Sequence, residues 1–422
     1  METEFCNKAP RVPAKFTPTP FAYHEELELD VATLTNLGEG VARRDGWVVF
    51  VPGALPGERV RARVWYNAKN FSRADLVEVL VPAAERVEPR CALFGRCGGC
   101  QYQNLSYEAQ LDWKTRQVSE LLTRLGKISF PVEKCKGSPK IYGYRSKITP
   151  HFERPRRGET DFPIGFLAAG TTRRLVDVPA CPIATDAVNA ALPPLRAKIR
   201  ERAARGEFRK GATLLVRETA EGVATDFKAA VSERVGDLTL KFVAGDFFQN
   251  NPFILPEFVR FAVDSARGNG ACRFLVDAYC GSGLFALSAA SQFERVLGVE
   301  VSEDAVRKAQ ENAGMNKLSN CSFVAGSAEI IFEKVTFPPR ETALIIDPPR
   351  KGCDAAFITQ MLAFAPRRIV YVSCGPDTQA RDLQIVLSQG KYALERVQPF
   401  DLFPQTRHIE NVAVLVRQDE KA

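Results

Sequence analysis

From residue 241 to the end, short apolar runs alternate with stretches of helical periodicity, and this alternation constrains the fold more than any other feature of the chain. The apolar runs are RFLVDAY (273–279), VLGVEV (296–301), ALIID (343–347) and RIVYVS (368–373). Helical stretches such as EDAVRKAQENAG (303–314) lie between them. Such alternation predicts a layered α/β fold around a parallel sheet. Sheets of this kind carry their sites at the carboxyl ends of the strands.

The chain has 422 residues, more than one ordinary core accommodates, so two or three domains are expected. Residues 24–82 read differently from the rest. LELDVATL, WVVFV, VRARVWY and LVEVL are short strands separated by the turn signals LGEG and PGALPGE. Strands at this spacing predict a small all-β barrel. The order strand–LGEGVAR–strand–VPGALPGE–strand resembles a TRAM domain, which implies an OB-like RNA-binding barrel. The expected organisation is a tail over 1–22, a β-barrel over 23–82, a central α+β domain over 83–240 and an α/β domain over 241–422.

Charge separates these parts. The formal net charge is +7, and residues 84–240 alone carry a net +9, with −1 on either side. The clusters Tyr144-Arg145-Ser146-Lys147, Arg154-Pro155-Arg156-Arg157 and Arg173-Arg174 lie in this central stretch. A local basic excess predicts a polyanion partner. With 45% hydrophobic and 25% charged residues the chain is globular, not disordered. No apolar run approaches the roughly 18 residues of a membrane span, and Met1–Pro20 lacks a signal-peptide core. A cytoplasmic protein without membrane contact is expected.

Asp277-Ala278-Tyr279-Cys280-Gly281-Ser282-Gly283 follows an apolar strand and opens an apolar helix. Glycines there let a loop approach a ligand closely. One strand later Glu300 ends GVE, where a carboxylate can accept both hydroxyls of a ribose. The spacing suits a dinucleotide or an adenosine-type cofactor. The absence of a third glycine at dinucleotide spacing, and the segments downstream, favour the latter.

Three downstream segments carry the chemistry: Asp347-Pro348-Pro349-Arg350-Lys351-Gly352, Val372-Ser373-Cys374-Gly375-Pro376 and Phe403-Pro404-Gln405-Thr406-Arg407-His408-Ile409-Glu410. With Phe247-Phe248-Gln249-Asn250 upstream, they closely resemble the RNA uracil-5 methyltransferase family. The resemblance implies a class I, Rossmann-like methyltransferase domain that uses S-adenosylmethionine. It also implies Cys374 as nucleophile, Glu410 as base, and Asp347 beside both cofactor and uracil. By the same resemblance Gln249, Tyr279 and Glu300 contact the cofactor, Ser327 lines its adenine, and Arg350 contacts phosphate or fixes its loop. The residue types suit the reaction. Carbon 5 of uracil becomes nucleophilic once a thiolate has added at carbon 6, and a base must then remove the carbon 5 proton. The family usually has Asn where this chain has Gly375.

Of the 11 cysteines, Cys91, Cys97 and Cys100 form C-x5-C-x2-C among glycines, and Cys181 in PACPI is the candidate fourth ligand. Four thiolates suit zinc or an iron–sulfur cluster, and the spacing alone favours neither. The arrangement resembles the four-iron four-sulfur (4Fe-4S) site of one branch of the family, which implies a central iron–sulfur domain with an architectural cluster.

The function expected from the sequence is therefore methylation of carbon 5 of a uridine in RNA. The large (23S) ribosomal RNA is the expected target, and the T-loop uridine of tRNA is the alternative. A non-catalytic RNA-binding or assembly factor would not need Cys374 and Glu410 together with Gln249 and Glu300. An iron–sulfur radical enzyme would show a different cysteine spacing. A monomer is expected.

Overall fold

The computed structural model describes residues 12–326 and 331–418. The chain forms two compact units: residues up to Gly95 together with Cys100–Gln110, and Arg96–Gly99 together with Leu111 onward.

In the first unit, β1 (Glu26–Leu34), β2 (Glu39–Arg44), β3 (Trp47–Pro52), β4 (Arg59–Asn67) and β5 (Phe71–Val81) close into a barrel in the order β1-β2-β3-β5-β4. Alternate residues point inward, as the period-2 pattern requires, and Leu29, Val31, Val49, Val51, Val60, Ala62 and Val64 fill the interior. Gly40 permits the tightest approach, because a Cβ there would come within 2.7 Å of the Ala54 carbonyl. Closure leaves no free sheet edge.

The second unit begins with an α+β region. It contains helix α1 (Tyr107–Arg124) from Leu111 onward and helix α2 (Asp186–Ala204), with small antiparallel sheets of four, three and two strands. Helix α2 starts at Thr185, whose hydroxyl accepts the Val188 N–H as an N-cap. Beyond it lie the alternating elements expected from the sequence. These are α3 (Leu255–Arg267), β6 (Phe274–Ala278), α4 (Leu284–Ala289), β7 (Arg295–Glu300), α5 (Glu303–Met315), β8 (Cys321–Ala325), β9 (Thr342–Ile346), α6 (Ala355–Phe364), β10 (Arg368–Ser373), α7 (Pro376–Ser388), β11 (Tyr392–Phe400) and β12 (Glu410–Arg417).

The seven strands run in the order β8-β7-β6-β9-β10-β12-β11. The first five are parallel, and β12 is antiparallel to both neighbours. Apolar clusters cover both faces of the sheet, with Phe258, Phe285 and Val412 in one and Phe357, Leu383 and Ala413 in the other. Chain direction reverses on the two sides of β6, so its carboxyl end opens a crevice at a topological switch point. No helix among the described residues is long and apolar enough to cross a membrane.

Candidate active site

A cavity of about 1220 Å3 lies at this edge of the sheet, and every expected catalytic and cofactor-contacting residue that is described lines it. Tyr279 follows β6, Glu300 ends β7, Asp347 follows β9 and Cys374 follows β10. Glu410 opens the antiparallel β12, and pairing of Ser373 with Asn411 brings it to the edge where β10 ends. Gln249 enters from the segment before α3. Ser327 lies outside the described residues.

The glycine loop is built to leave room. Tyr279, Gly281 and Gly283 have φ of 66°, 53° and 95°. At Gly281 a Cβ would meet nothing within 4 Å, so the loop faces open cavity. Beneath it, buried Asp277 accepts the Ala286 N–H at the start of α4 at 2.8 Å. Burial first, then Asp347 and Glu300, hold the Asp277 carboxyl well above the usual carboxylate range. Glu300 is fixed by N–H donors, Gly281 at 3.0 Å and Ser302 at 3.1 Å. A carboxylate has lone pairs beyond those two bonds. The donor set and the open loop thus fit an adenosine ribose.

Across the cavity three acids crowd together. Burial raises Asp347 to about 7. Burial, with Asp347 adding to it, raises Glu410 well above its ordinary value. Burial and the charges of Glu410 and Asp347 raise the Cys374 thiol to about 11, against an opposing pull from Arg350. The thiol is protonated at neutral pH, and a proton must leave this group before sulfur can add to an acceptor. Behind Glu410 a buried amide network fixes the strand: Asn411 donates to Gln379 at 2.7 Å, and Gln379 donates to the Tyr371 carbonyl at 2.8 Å.

Gly375, where the family usually has Asn, has a local reason. A Cβ there would lie 2.9 Å from Thr378 Oγ1 and 3.1 Å from the Arg350 carbonyl. Without it, the Thr378 hydroxyl reaches that carbonyl at 3.0 Å and ties the Arg350 loop to the first turn of α7.

Two residues gain roles that the sequence reading missed. Lys147 was grouped with a basic RNA-facing cluster, yet its ammonium donates to the Gly245 and Asp246 carbonyls, both at 3.1 Å. Burial and neighbouring Arg217 lower it to about 8. Arg217 is 1% exposed and donates to Ala244 O at 2.9 Å, Asp246 O at 3.1 Å and Phe248 O at 3.3 Å. Together they fix the segment that carries Gln249. An arginine inside the apolar run LLVRE was the available signal. Phe247, quoted in the motif without a role, is 78% exposed while lining the cavity.

The expected four-thiolate centre finds no support in the structure. Among the described residues no group of three or more His, Cys, Asp or Glu side chains is arranged to hold a metal ion.

Residues 226–418 match the family described as tRNA (Uracil-5-)-methyltransferase, and residues 24–77 match the TRAM domain. The tRNA (uracil(54)-C(5))-methyltransferase of Schizosaccharomyces pombe is 42% identical, over 94% of this chain and 79% of that protein. The Saccharomyces cerevisiae protein of the same description is 32% identical, over 95% of this chain and 75% of its own length. The crystal structure of Pyrococcus abyssi tRNA (uracil-54, C5)-methyltransferase in complex with S-adenosyl-L-homocysteine superposes with a TM-score of 0.73 at 25% identity, covering 92% of this chain and 99% of that one. The chain belongs to the tRNA (uracil-5-)-methyltransferase family and is a methyltransferase enzyme of that class carrying a TRAM barrel.

Proposed function

We propose that the protein methylates carbon 5 of the T-loop uridine of transfer RNA, at the position its relatives are named for. The observation that carries the reading is the meeting of Cys374, Glu410 and Asp347 with Glu300 and Gln249 in one cavity. The yeast relatives and the archaeal structure, all named for uracil 54 of tRNA, favour this target over the ribosomal RNA expected from the sequence.

S-adenosylmethionine, when bound, supplies an electrophilic methyl group on sulfonium, with Glu300 at its ribose and Gln249, Tyr279 and Asp347 around the rest. Cys374 gives its proton to solvent, and its sulfur forms a bond to carbon 6 of the uracil. The ring electrons move to an enolate whose carbon 5 is nucleophilic. Once carbon 5 carries the methyl group, the Glu410 carboxylate takes the carbon 5 proton. The carbon 6–sulfur bond then breaks, and its electron pair returns to Cys374. Burial favours a neutral Glu410 carboxyl, so a carboxylate there is a strong base and holds the proton it receives. Arg350 steadies the thiolate.

The iron–sulfur reading rests on the spacing of Cys91, Cys97, Cys100 and Cys181, and no step above runs through a cluster. Iron analysis of anaerobically purified protein decides it: about four irons per chain upholds the spacing, and none discards it.

Nucleoside mass spectrometry of transfer and ribosomal RNA from a deletion strain tests the target. Loss of 5-methyluridine from the T-loop of transfer RNA is expected. Loss from ribosomal RNA alone would restore the other target. No loss from either would favour a non-catalytic factor.

A further inference from the structure

The barrel poses a question that charge does not answer. Residues 1–83 carry a net charge of −1, so long-range attraction to phosphate does not explain how this unit would hold RNA. Its surface does carry a row of aromatic rings. The pairing of β4 with β5 shifts register between Val64 and Tyr66, and this bulge turns Trp65 and Tyr66 outward together, 39% and 41% exposed. Trp65 and Tyr66 have ring centroids 5.8 Å apart, Tyr66 and Phe71 6.2 Å, and Phe71 and Phe50 5.2 Å. The Arg73 guanidinium lies 5.7 Å from the Phe50 centroid and 5.9 Å from that of Phe71.

Cations gather at the same end of the barrel. Parallel pairing of Val48 with Phe71 places the β2–β3 turn, with Arg43 and Arg44, beside the β4–β5 turn, with Lys69. All three are exposed. The row is also rigidly backed: Trp47 donates to Ser72 Oγ at 3.0 Å, and Ser72 donates to buried Asn67 at 2.6 Å. Rings on a fixed support suit unpaired bases, which stack on any aromatic face. Arg73 is held there by its ion pair with Glu39, and exposed Arg43, Arg44 and Lys69 are the cations placed to meet phosphates.

We propose that Trp65, Tyr66, Phe71 and Phe50, flanked by Arg73 and Lys69, form a platform on which unpaired bases of the RNA substrate stack. The proposal rests on the reading that the substrate is RNA. It assigns the neutral barrel a grip made mainly of stacking, distinct from phosphate attraction in the central region.

The test uses the full chain, a transfer RNA transcript and a single-stranded oligonucleotide, with affinity measured across salt concentrations. The Trp65→Ala, Tyr66→Ala double variant should bind both RNAs at least about tenfold more weakly. Its dependence on salt should be unchanged, since no phosphate contact is lost. S-adenosylhomocysteine affinity and melting temperature should stay at the unmodified protein's values. Trp65→Phe with Tyr66→Phe keeps the rings and should keep the affinity. Unchanged RNA binding in the alanine variant overturns the platform. So does equal loss in the phenylalanine variant, or a change of oligomeric state without loss of RNA binding. Failure of the unmodified protein to bind any RNA would overturn the functional reading itself, a result distinct from all of these.

Discussion

Replacing Arg217 should separate the stability of the fold from the readiness of its cofactor site. The guanidinium is buried, with three carbonyls from Ala244, Asp246 and Phe248 on its two terminal nitrogens. Arg217→Met removes those donors, at a cost on the order of 1 kcal/mol for each carbonyl left unmatched, or about 2 kcal/mol for Ala244 and Phe248, since Lys147 still donates to the Asp246 carbonyl. It also relieves the burial of a charge, a penalty of several kcal/mol in an interior site. The two effects nearly offset, so melting should shift by only a few degrees. Arg217→Lys keeps a buried charge but loses the planar fork that reaches three carbonyls, so it should be the less stable variant despite its conservative appearance. Both variants loosen the 244–250 segment and with it Gln249. Affinity for S-adenosylhomocysteine should fall about tenfold, equivalent to roughly 1.4 kcal/mol. Calorimetric titration and thermal melting measure the two quantities separately. A folded Arg217→Met protein with unchanged affinity would refute the argument that Arg217 positions this wall of the cavity.

Other consequences follow from the same geometry. Because Cys374 is raised to about 11, its alkylation by iodoacetamide should be slow at pH 7 and quicken steadily into alkaline solution. Arg350→Gln should move that profile to still higher pH, since Arg350 pulls the thiol down, and mass mapping of the alkylated peptide reads both. At Gly283 a Cβ would lie 2.9 Å from Leu287 Cδ1 in a left-handed backbone, so Gly283→Val should cost about 1–3 kcal/mol and weaken cofactor binding, as melting with and without ligand would show. Charge reversal at exposed Arg156 and Arg157, which have no ion-pair partner among the described residues, should weaken RNA binding and reduce its salt slope without affecting cofactor affinity.

Much of the site was legible because strand ends are legible. Apolar runs marked β6, β7, β9 and β10, and the residues after them, Tyr279, Asp347 and Cys374, line the cavity, as does Glu300 at the end of its strand. Glu410 is different. It stands next to the end of β10 only because β12 inserts antiparallel between β10 and β11, a pairing that no local pattern encodes. Lys147 and Arg217 were opaque for another reason. A cation in a sequence looks the same whether it faces phosphate or buried carbonyls, and here the folded chain supplies the carbonyls. For the cysteines, spacing is the sole support of the cluster reading, because no metal-holding group stands among the described side chains.

The central claim is that Cys374 adds to the base and Glu410 releases it. Glu410→Gln tests it most directly, incubated with transfer RNA and S-adenosylmethionine and resolved on a denaturing gel with nucleoside analysis of the product. Addition and methyl transfer should proceed while elimination stalls. A covalent protein–RNA adduct carrying the methyl group should therefore accumulate, and it should be absent when Cys374→Ser is added. A folded Glu410→Gln enzyme that binds both substrates and turns over at the normal rate, with no trapped adduct, would contradict the account.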